Sequence, residues 1–311
     1  MQTLGDIGEL AAIERVVKRL PGRQDVIVGP GDDCAVVHPI HDTDEDLVLT
    51  SDPVVEGIHF DADAVPESVG HKAIGRVLSD IAAMGADPRW ALVDIVAPKS
   101  TPVAVIDALY VGMGSLAATH GLVIVGGDMA EGPCLEIHVF GMGAVPVGKA
   151  LLRSTAGSGD CIFVTGRLGG SRLGRHLCVE PRLEEGRWLR DWATALIDVS
   201  DGLASDLHHL TDMSKVGCDL YPNLIPISDA ASQLKDSATA LEHALYDGED
   251  FELLFTVPQP RRNAFVSAWE ERFDLPCTEI GCMTENVGVI RCLAPDGSAT
   301  PLLRSGYAHW E

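Results

Sequence analysis

The stretch His71–Pro88, HKAIGRVLSDIAAMGADP, decides how the chain is read. Ile74, Val77, Leu78, Ile81 and Met84 recur at three- and four-residue intervals, the spacing of one buried stripe, and predict a long helix over 67–85. Asp80 falls on the flank of that stripe, three residues after Val77 and four before Met84, where an unpaired carboxylate is costly to bury. A helix that presses an acid against its own core needs a partner for that acid.

Working outward, AVV at 35–37 and LVLTS at 47–51 read as short strands before this helix. After it come strands at 90–97 (WALVDIVA), 122–125 (LVIV) and 134–145 (CLEIHVFGMGAV), with a helix at 103–119. Near the N-terminus Asp6 and Glu9 form a capping box, followed by Leu10, Ile13, Val17 and Leu20 at helical spacing up to Pro21. Between 146 and 160 the composition turns to Pro, Gly, Ser and Lys, a linker or crossover. A second unit opens with CIFVTG (161–166) and carries a helix near 201–213, where Leu203, Leu207 and Leu210 share a face. Strand FELLFTV (251–257), a helix at 260–272 and strand VGVIRCL (287–293) complete it. The expectation is a chain of two α/β-type units, 1–146 and 147–311.

Lys and Arg total 23 against 46 Asp and Glu, a net charge of −23. That balance argues against a nucleic-acid surface, which needs a basic footprint. An anionic small substrate stays possible if a metal mediates its capture. The first 21 residues lack a basic leader and a continuous apolar core, and no apolar run approaches the roughly 18 residues of a membrane span. Eight scattered cysteines without a CxxC pair read as reduced thiols, so a cytoplasmic protein with no membrane partner is expected.

Two familiar motifs fail on inspection. GAVPVGKA (143–150) matches GxxxxGK, but Ala150 stands where a phosphate loop needs a hydroxyl for magnesium. GMGSLA (112–117) resembles a dinucleotide fingerprint yet lies inside a helical pattern, where its glycines serve packing. His208 and His209 are adjacent on a helix and point apart, and His38 and His41 lack a third ligand.

Five stretches share a sharper pattern, an Asp beside glycine or a hydroxyl residue at a strand end or in a buried helix. They are GDDCAV (31–36), LTSDPVVEGIHF (49–60), LSDIAAMGAD (78–87), IVGGDM (124–129) and LIDVSDGL (196–203). Oxygen-only sites suit hard cations, and Mg²⁺ takes a few carboxylates together with substrate phosphates. Each Asp alone could be a turn former or helix cap, Asp201 for the helix that follows it. Together, with few basic residues to pair them, they favour a site for several Mg²⁺ ions. LIDVSDGLASDL also runs from strand through Ser-Asp-Gly into a helix whose free amides would face a phosphate, with Arg153 as a candidate clamp. In DGEDFELLF, Glu249 and Asp250 precede a buried strand, as a turn or as acids facing substrate.

GDDCAV, SDPVVEGIHF, HKAIGRVLSDIAAMGADP, VGGD, ALLRS, TGRLG, LIDVSDGLASDLHHL, DGEDFELLFTV and the terminal GYAHW occur in this order in the thiamine-monophosphate kinases. The chain resembles that family, part of the aminoimidazole-ribonucleotide synthetase-like superfamily, from about residue 5 to 310. The resemblance implies a two-domain α+β fold and a homodimer in which N-terminal strands of both subunits join. It implies transfer of the γ-phosphoryl group of ATP to thiamine monophosphate, with Mg²⁺ required. Carried over by position, Asp33, Thr50, Ser51, Asp52, Asp80, Asp128, Asp198 and Asp201 would be metal ligands. Tyr110, Gly127, Asp128, Arg153 and Ser200 would contact the nucleotide, and His59, Glu249 and Tyr307 would contact thiamine monophosphate; for Tyr307 a packing role stands beside that one. No general base is assigned. The chain departs from the family pattern at Met129-Ala130, where a hydroxyl pair is usual, at Ser51 in a usual TTD, and at Asp247 in a usual GGED.

Rival readings within the superfamily are a selenophosphate synthetase, which would need a reactive cysteine that residues 1–25 lack, and an aminoimidazole-ribonucleotide synthetase, which lacks GEDFELLF and GYAHW in this form. A non-catalytic acidic protein that buffers divalent ions is a different class; Arg153 and the strand-to-helix anion site argue against it.

Overall fold

The computed structural model describes residues 26–29, 32–38 and 44–307. The capping box at Asp6 and Glu9 with its helix, Pro30 and Gly31 of the acidic turn, His41, and residues 308–310 of the GYAHW motif lie outside the described residues.

Strands β1 (Val26–Val28), β2 (Ala35–Val37), β3 (Glu45–Val55), β4 (Asp87–Ala97), β5 (Val123–Glu131) and β6 (Glu136–Pro146) form one sheet in the order β1-β2-β3-β6-β4-β5. Only the β4–β5 pair is parallel among these neighbours. Helices α1 (Pro66–Ala83) and α2 (Val103–Thr119) belong to the same half. Proline opens α1 without loss, since the first amide of a helix has no internal partner. The two helices cross closely because Gly112 has no side chain: a Cβ there would lie 1.8 Å from the Glu67 carbonyl oxygen. The GMG glycines therefore serve helix packing. The GxxxxGK look-alike is likewise structural, since Gly143–Pro146 is the end of β6, paired with β3 and β4.

The second sheet runs β13-β12-β9-β11-β7-β10-β8. Its strands are β7 (Cys161–Thr165), β8 (Ala195–Asp198), β9 (Gly217–Leu220), β10 (Leu253–Val257), β11 (Cys277–Thr284), β12 (Ile290–Leu293) and β13 (Ala299–Pro301). Helix α3 (Leu183–Leu189) precedes β8, and α4 (Leu203–Ser214), α5 (Ala240–Tyr246) and α6 (Arg262–Arg272) follow. Leu203, Leu207 and Leu210 of α4 pack with Ile162, Val164, Ile197 and Leu254 in one core. A second core joins Phe163, Phe255, Phe265 and Trp269 to the interior of the first half.

Helix α1 explains that continuity. Ile74, Val77, Leu78 and Ile81 are fully buried, each worth roughly 1.5–3 kcal/mol on leaving water. The helix packs on β3 and β6 and also reaches α3 and β8 of the second half. Among the described residues no helix is long and apolar enough to cross a membrane.

One element runs further than its sequence pattern suggests. The strand expected at 122–125 continues as β5 through GGDM to Glu131, held by parallel pairing with β4. At Gly127 the backbone has φ +154°, and a Cβ would lie 1.8 Å from the Val93 carbonyl oxygen, so glycine permits the pairing. Hydrogen bonding to β4 supplies what apolar alternation lacks there.

Candidate active site

Eight segments meet at a cleft of about 1110 Å³. The turn before β2 brings Asp33, β3 brings Thr50, Ser51 and Asp52, and α1 brings Asp80. The end of β8 and the turn after it bring Asp198, Ser200 and Asp201. Arg153 comes from the segment joining the halves, and His59, Glu249 and Tyr307 come from three loops; all of these line the cleft. Asp80 comes from within α1 and Thr50, Ser51 and Asp52 from within β3, while a strand end, turns and loops carry the rest.

At one wall Asp33, Asp80 and Asp198 each place a carboxylate oxygen within 4.8 Å of the others. Asp33 and Asp198 are buried. Thr50 Oγ1 donates to Asp80 Oδ2, and Ser79 Oγ donates to Asp198 Oδ2 at 2.5 Å. Arg153 Nε donates to Asp33 Oδ2 at 2.8 Å. Its Nη2 lies 2.8 Å from Asp33 Oδ1 as an ion-pair contact. Asp80 and Asp198 have no ion-pair partner among the described residues, so one guanidinium answers three acids. Two unit charges about 4 Å apart repel by roughly 4 kcal/mol at an effective dielectric near 20.

The protonation equilibria register this crowding. Burial, then the charges of Asp52, Asp198 and Asp33, push the Asp80 carboxyl well above its usual range. Burial and the Asp33 charge do the same to Asp198. Burial and Asp33 raise Asp32 to about 7. Burial works against the charge of Arg153, yet Asp33 and Asp32 outweigh it and hold the guanidinium more firmly protonated than usual. Three convergent hard oxygen donors with a single cation among them fit a divalent ion such as Mg²⁺.

The opposite wall is organised by bases. Lys72 Nζ donates to Glu249 Oε2 at 2.8 Å, and Arg76 Nη1 donates to Glu249 Oε1 at 3.1 Å. Arg76 Nη2 also donates to Asp52 Oδ1 at 2.8 Å, so Asp52, expected as a metal ligand, carries an arginine partner. His176 Nδ1 lies 3.2 Å from Glu249 Oε2. Against the cost of burial, His176, Lys72 and Arg76 bring the Glu249 carboxyl down to about 2. Glu249 has φ +66° and Phe251 φ +51°, left-handed values that cost non-glycine residues on the order of 1–3 kcal/mol each. The loop holds them because the Glu249 amide donates to Ser200 O at 2.7 Å and the Phe251 amide to Val199 O at 2.8 Å.

The cleft also corrects a local expectation. Gly202, not Asp201, occupies the N-cap position of α4, with no side-chain cap bond. Asp206, buried in the first turn, accepts the Asp201 amide at 3.2 Å, so an acid stands beside amides expected to meet a phosphate. Tyr307 is 44% exposed at the cleft, its amide donating to Asp201 O at 3.0 Å.

Three expected nucleotide contacts stand elsewhere. Tyr110 lies on α2, partly exposed, and Gly127 and Asp128 lie on the edge strand β5. The register Pro53–His138–Asp94–Asp128 puts Asp128 three strands from β3, roughly 14 Å at ordinary strand spacing. The Asp128 amide donates to Asp94 Oδ1 at 2.8 Å. Arg76, Arg172 and His176 line the cleft, and Lys72 is buried behind it against Glu249 and His176; none of the four stands out in the sequence as a site residue. Their signal was partly present: Lys72, Arg76 and Asp80 are spaced i, i+4, i+8, which stacks them along one line of α1.

Residues 31–145 match the family model described as AIR synthase related protein, N-terminal domain. The thiamine-monophosphate kinase of Escherichia coli (strain K12) is 37% identical, over 97% of this chain and 98% of its own. A solved structure described as AaThiL complexed with AMPPCP and TMP superposes with a TM-score of 0.86 at 31% identity, covering 99% of both chains. Thiamine-monophosphate kinase from Stenotrophomonas maltophilia K279a gives 0.75 at 34% identity, covering 93% of this chain and 96% of that one. With likeness of this extent over nearly its whole length, the chain belongs to the thiamine-monophosphate kinase family.

Proposed function

We propose that the chain transfers the γ-phosphoryl group of ATP directly and in line to thiamine monophosphate, giving thiamine diphosphate and ADP, with Mg²⁺ required. The observation that carries this reading is the convergence of Asp33, Asp80 and Asp198 beside Arg153 in one cleft. The relative solved with AMPPCP and TMP supports a nucleotide and a phosphorylated acceptor as its occupants.

The acceptor is a phosphate monoester whose second ionisation lies near pH 6, so at neutral pH it is mostly a dianion. No side chain has to remove a proton, and none is assigned as general base. The difficulty is bringing two polyanions together in a protein of net charge −23. Asp33, Asp80 and Asp198 would hold Mg²⁺, with Thr50, Ser51, Asp52 and Asp201 around them. When bound, the ions supply charge cancellation on the transferring group and its oxygens. Arg153 and Ser200 would bind nucleotide phosphates, while His59, Glu249 and Tyr307 would orient thiamine monophosphate from the opposite wall. Catalysis is then positioning and electrostatics on a wall set before substrate arrives.

The same reading includes a homodimer joined through the first sheet. Leu92 and Phe140 are directly opposed and exposed on that sheet, and Trp90, Val123, Val125 and Met129 are exposed on β4 and β5. Such apolar side chains on an open edge favour a second strand set. Tyr110, Gly127 and Asp128 belong to this edge half, so their nucleotide contacts depend on assembly.

The test is a mass-resolved product assay with ATP, Mg²⁺ and a panel of phosphorylated acceptors. Thiamine diphosphate and ADP should form one for one, and only from thiamine monophosphate. AMP as the nucleotide product, or no acceptor turnover, overturns the reading.

A further inference from the structure

Lys72 is fully buried. Its ammonium donates to the His59 carbonyl oxygen at 2.5 Å and to Glu249 Oε2 at 2.8 Å, and lies 2.9 Å from His176 Nδ1. These come from a turn in the first half and from a 3-10 turn (Arg175–Leu177) and a loop in the second, so one side chain ties three segments together behind the cleft. The His59 turn is rigid in its own right, because the Val55 amide donates to the His59 ring Nδ1 at 3.0 Å and the His59 amide to Val55 O at 2.8 Å. Glu249 is the opposite case, a side chain on left-handed backbone whose direction depends on what receives it.

We infer that Lys72 is a positioning residue for the acceptor: its ammonium fixes Glu249 and the His59 turn as one preset wall facing thiamine monophosphate. This rests on the proposed reading, in which His59 and Glu249 contact that substrate. Burial lowers the Lys72 pKa while Glu249 opposes the shift, and Glu249 is held ionised down to about 2. Helix α1 adds a ruler. Lys72 and Asp80 are eight residues apart on it, roughly 12 Å of rise, so the helix sets the distance between the acceptor wall and the acid cluster.

The test compares wild type with Lys72→Met, Glu249→Gln and the double variant, each first shown to be folded by circular dichroism. If Lys72→Met yields no folded protein, Lys72→Gln, which keeps a donor for the His59 carbonyl, carries the same comparison. Lys72→Met should raise the KM for thiamine monophosphate about tenfold or more while the KM for ATP stays within about twofold, a split that general loosening does not produce. Adding Glu249→Gln to it should change the KM by less than about twofold, because Lys72 acts through Glu249. An unchanged KM for thiamine monophosphate, equal rises for both substrates, or multiplying effects in the double variant overturns the inference. Wild-type protein that does not phosphorylate thiamine monophosphate overturns the functional reading instead.

Discussion

At one wall of the cleft three carboxylates, Asp33, Asp80 and Asp198, share a single guanidinium; a short way along the chain from the opposite wall, one carboxylate, Glu252, has two. Glu252 is buried and accepts Arg182 Nε at 2.8 Å, Arg182 Nη2 at 2.7 Å, Thr165 Oγ1 at 2.7 Å and a further bond from Arg175. Glu249 sits between these extremes in sequence and resembles the second, with Lys72, Arg76 and His176 around it. The difference separates what the chain completes by itself from what it leaves for a ligand. The Glu252 network is closed by folding. The aspartate wall is folded into repulsion, which on the proposed reading bound Mg²⁺ would relieve.

That comparison breaks first at Asp80. Asp80→Asn should lower turnover by about 10³-fold, near 4 kcal/mol in barrier height, while the metal-free variant melts no lower than wild type, because one repelling charge is gone. Mg²⁺ should raise the melting temperature of wild type and do so much less for the variant. Steady-state rates and melting curves with and without Mg²⁺ check both halves. Full activity at saturating Mg²⁺ would remove Asp80 from the site.

Glu252→Gln should do the reverse, since it leaves Arg175 and Arg182 short of their counter-charge. Breaking a buried ion pair from one side costs about 3–5 kcal/mol, so the variant should unfold at distinctly lower urea concentration. A variant as stable as wild type would show that the network contributes nothing net.

The two walls were not equally legible in the sequence. The acids of the first were readable because Asp beside glycine or hydroxyl residues at strand ends is a local pattern, and Asp80 interrupts a helical stripe. The helix at 103–119 was readable to the residue and α1 within two, because sustained apolar period 3.6 is a strong signal. Of the second, Glu249 was readable but its bases were not, since Lys72 lies 104 residues from His176 and 177 from Glu249 and acquires meaning only when folded against them. Short elements were also missed. Helix α3 reads LEEGRWL and strand β9 reads GCDL, too brief and too glycine-bearing for periodicity to act; β9 is fixed by pairing with β11 and α3 packs against α1. For Asp128 the motif was visible but its distance from β3 was not, because strand order cannot be read from a GGD turn.

The smallest expected effect concerns two neighbours with opposite shifts. Glu249 is held down to about 2, whereas burial pushes Asp250 up to about 7. Asp250 Oδ2 accepts the Gly169 amide at 2.7 Å, but its Oδ1 is buried without a hydrogen bond, and Arg175 is 3.8 Å away. The signs follow from which state holds the proton. Glu249 stabilises the fold above its unfolded pKa near 4.5, and that contribution fades as pH falls toward 2. Asp250 keeps its proton in the fold up to about 7 but loses it near 3.8 when unfolded, so its contribution declines as pH rises between those values. Asp32, Asp80 and Asp198 titrate in the same direction, so the informative quantity is a difference. Wild type should lose about 1–3 kcal/mol more stability than Asp250→Asn between pH 4 and pH 7. Urea unfolding of both proteins across that range measures it, and parallel curves would show that Asp250 is ionised in the fold throughout.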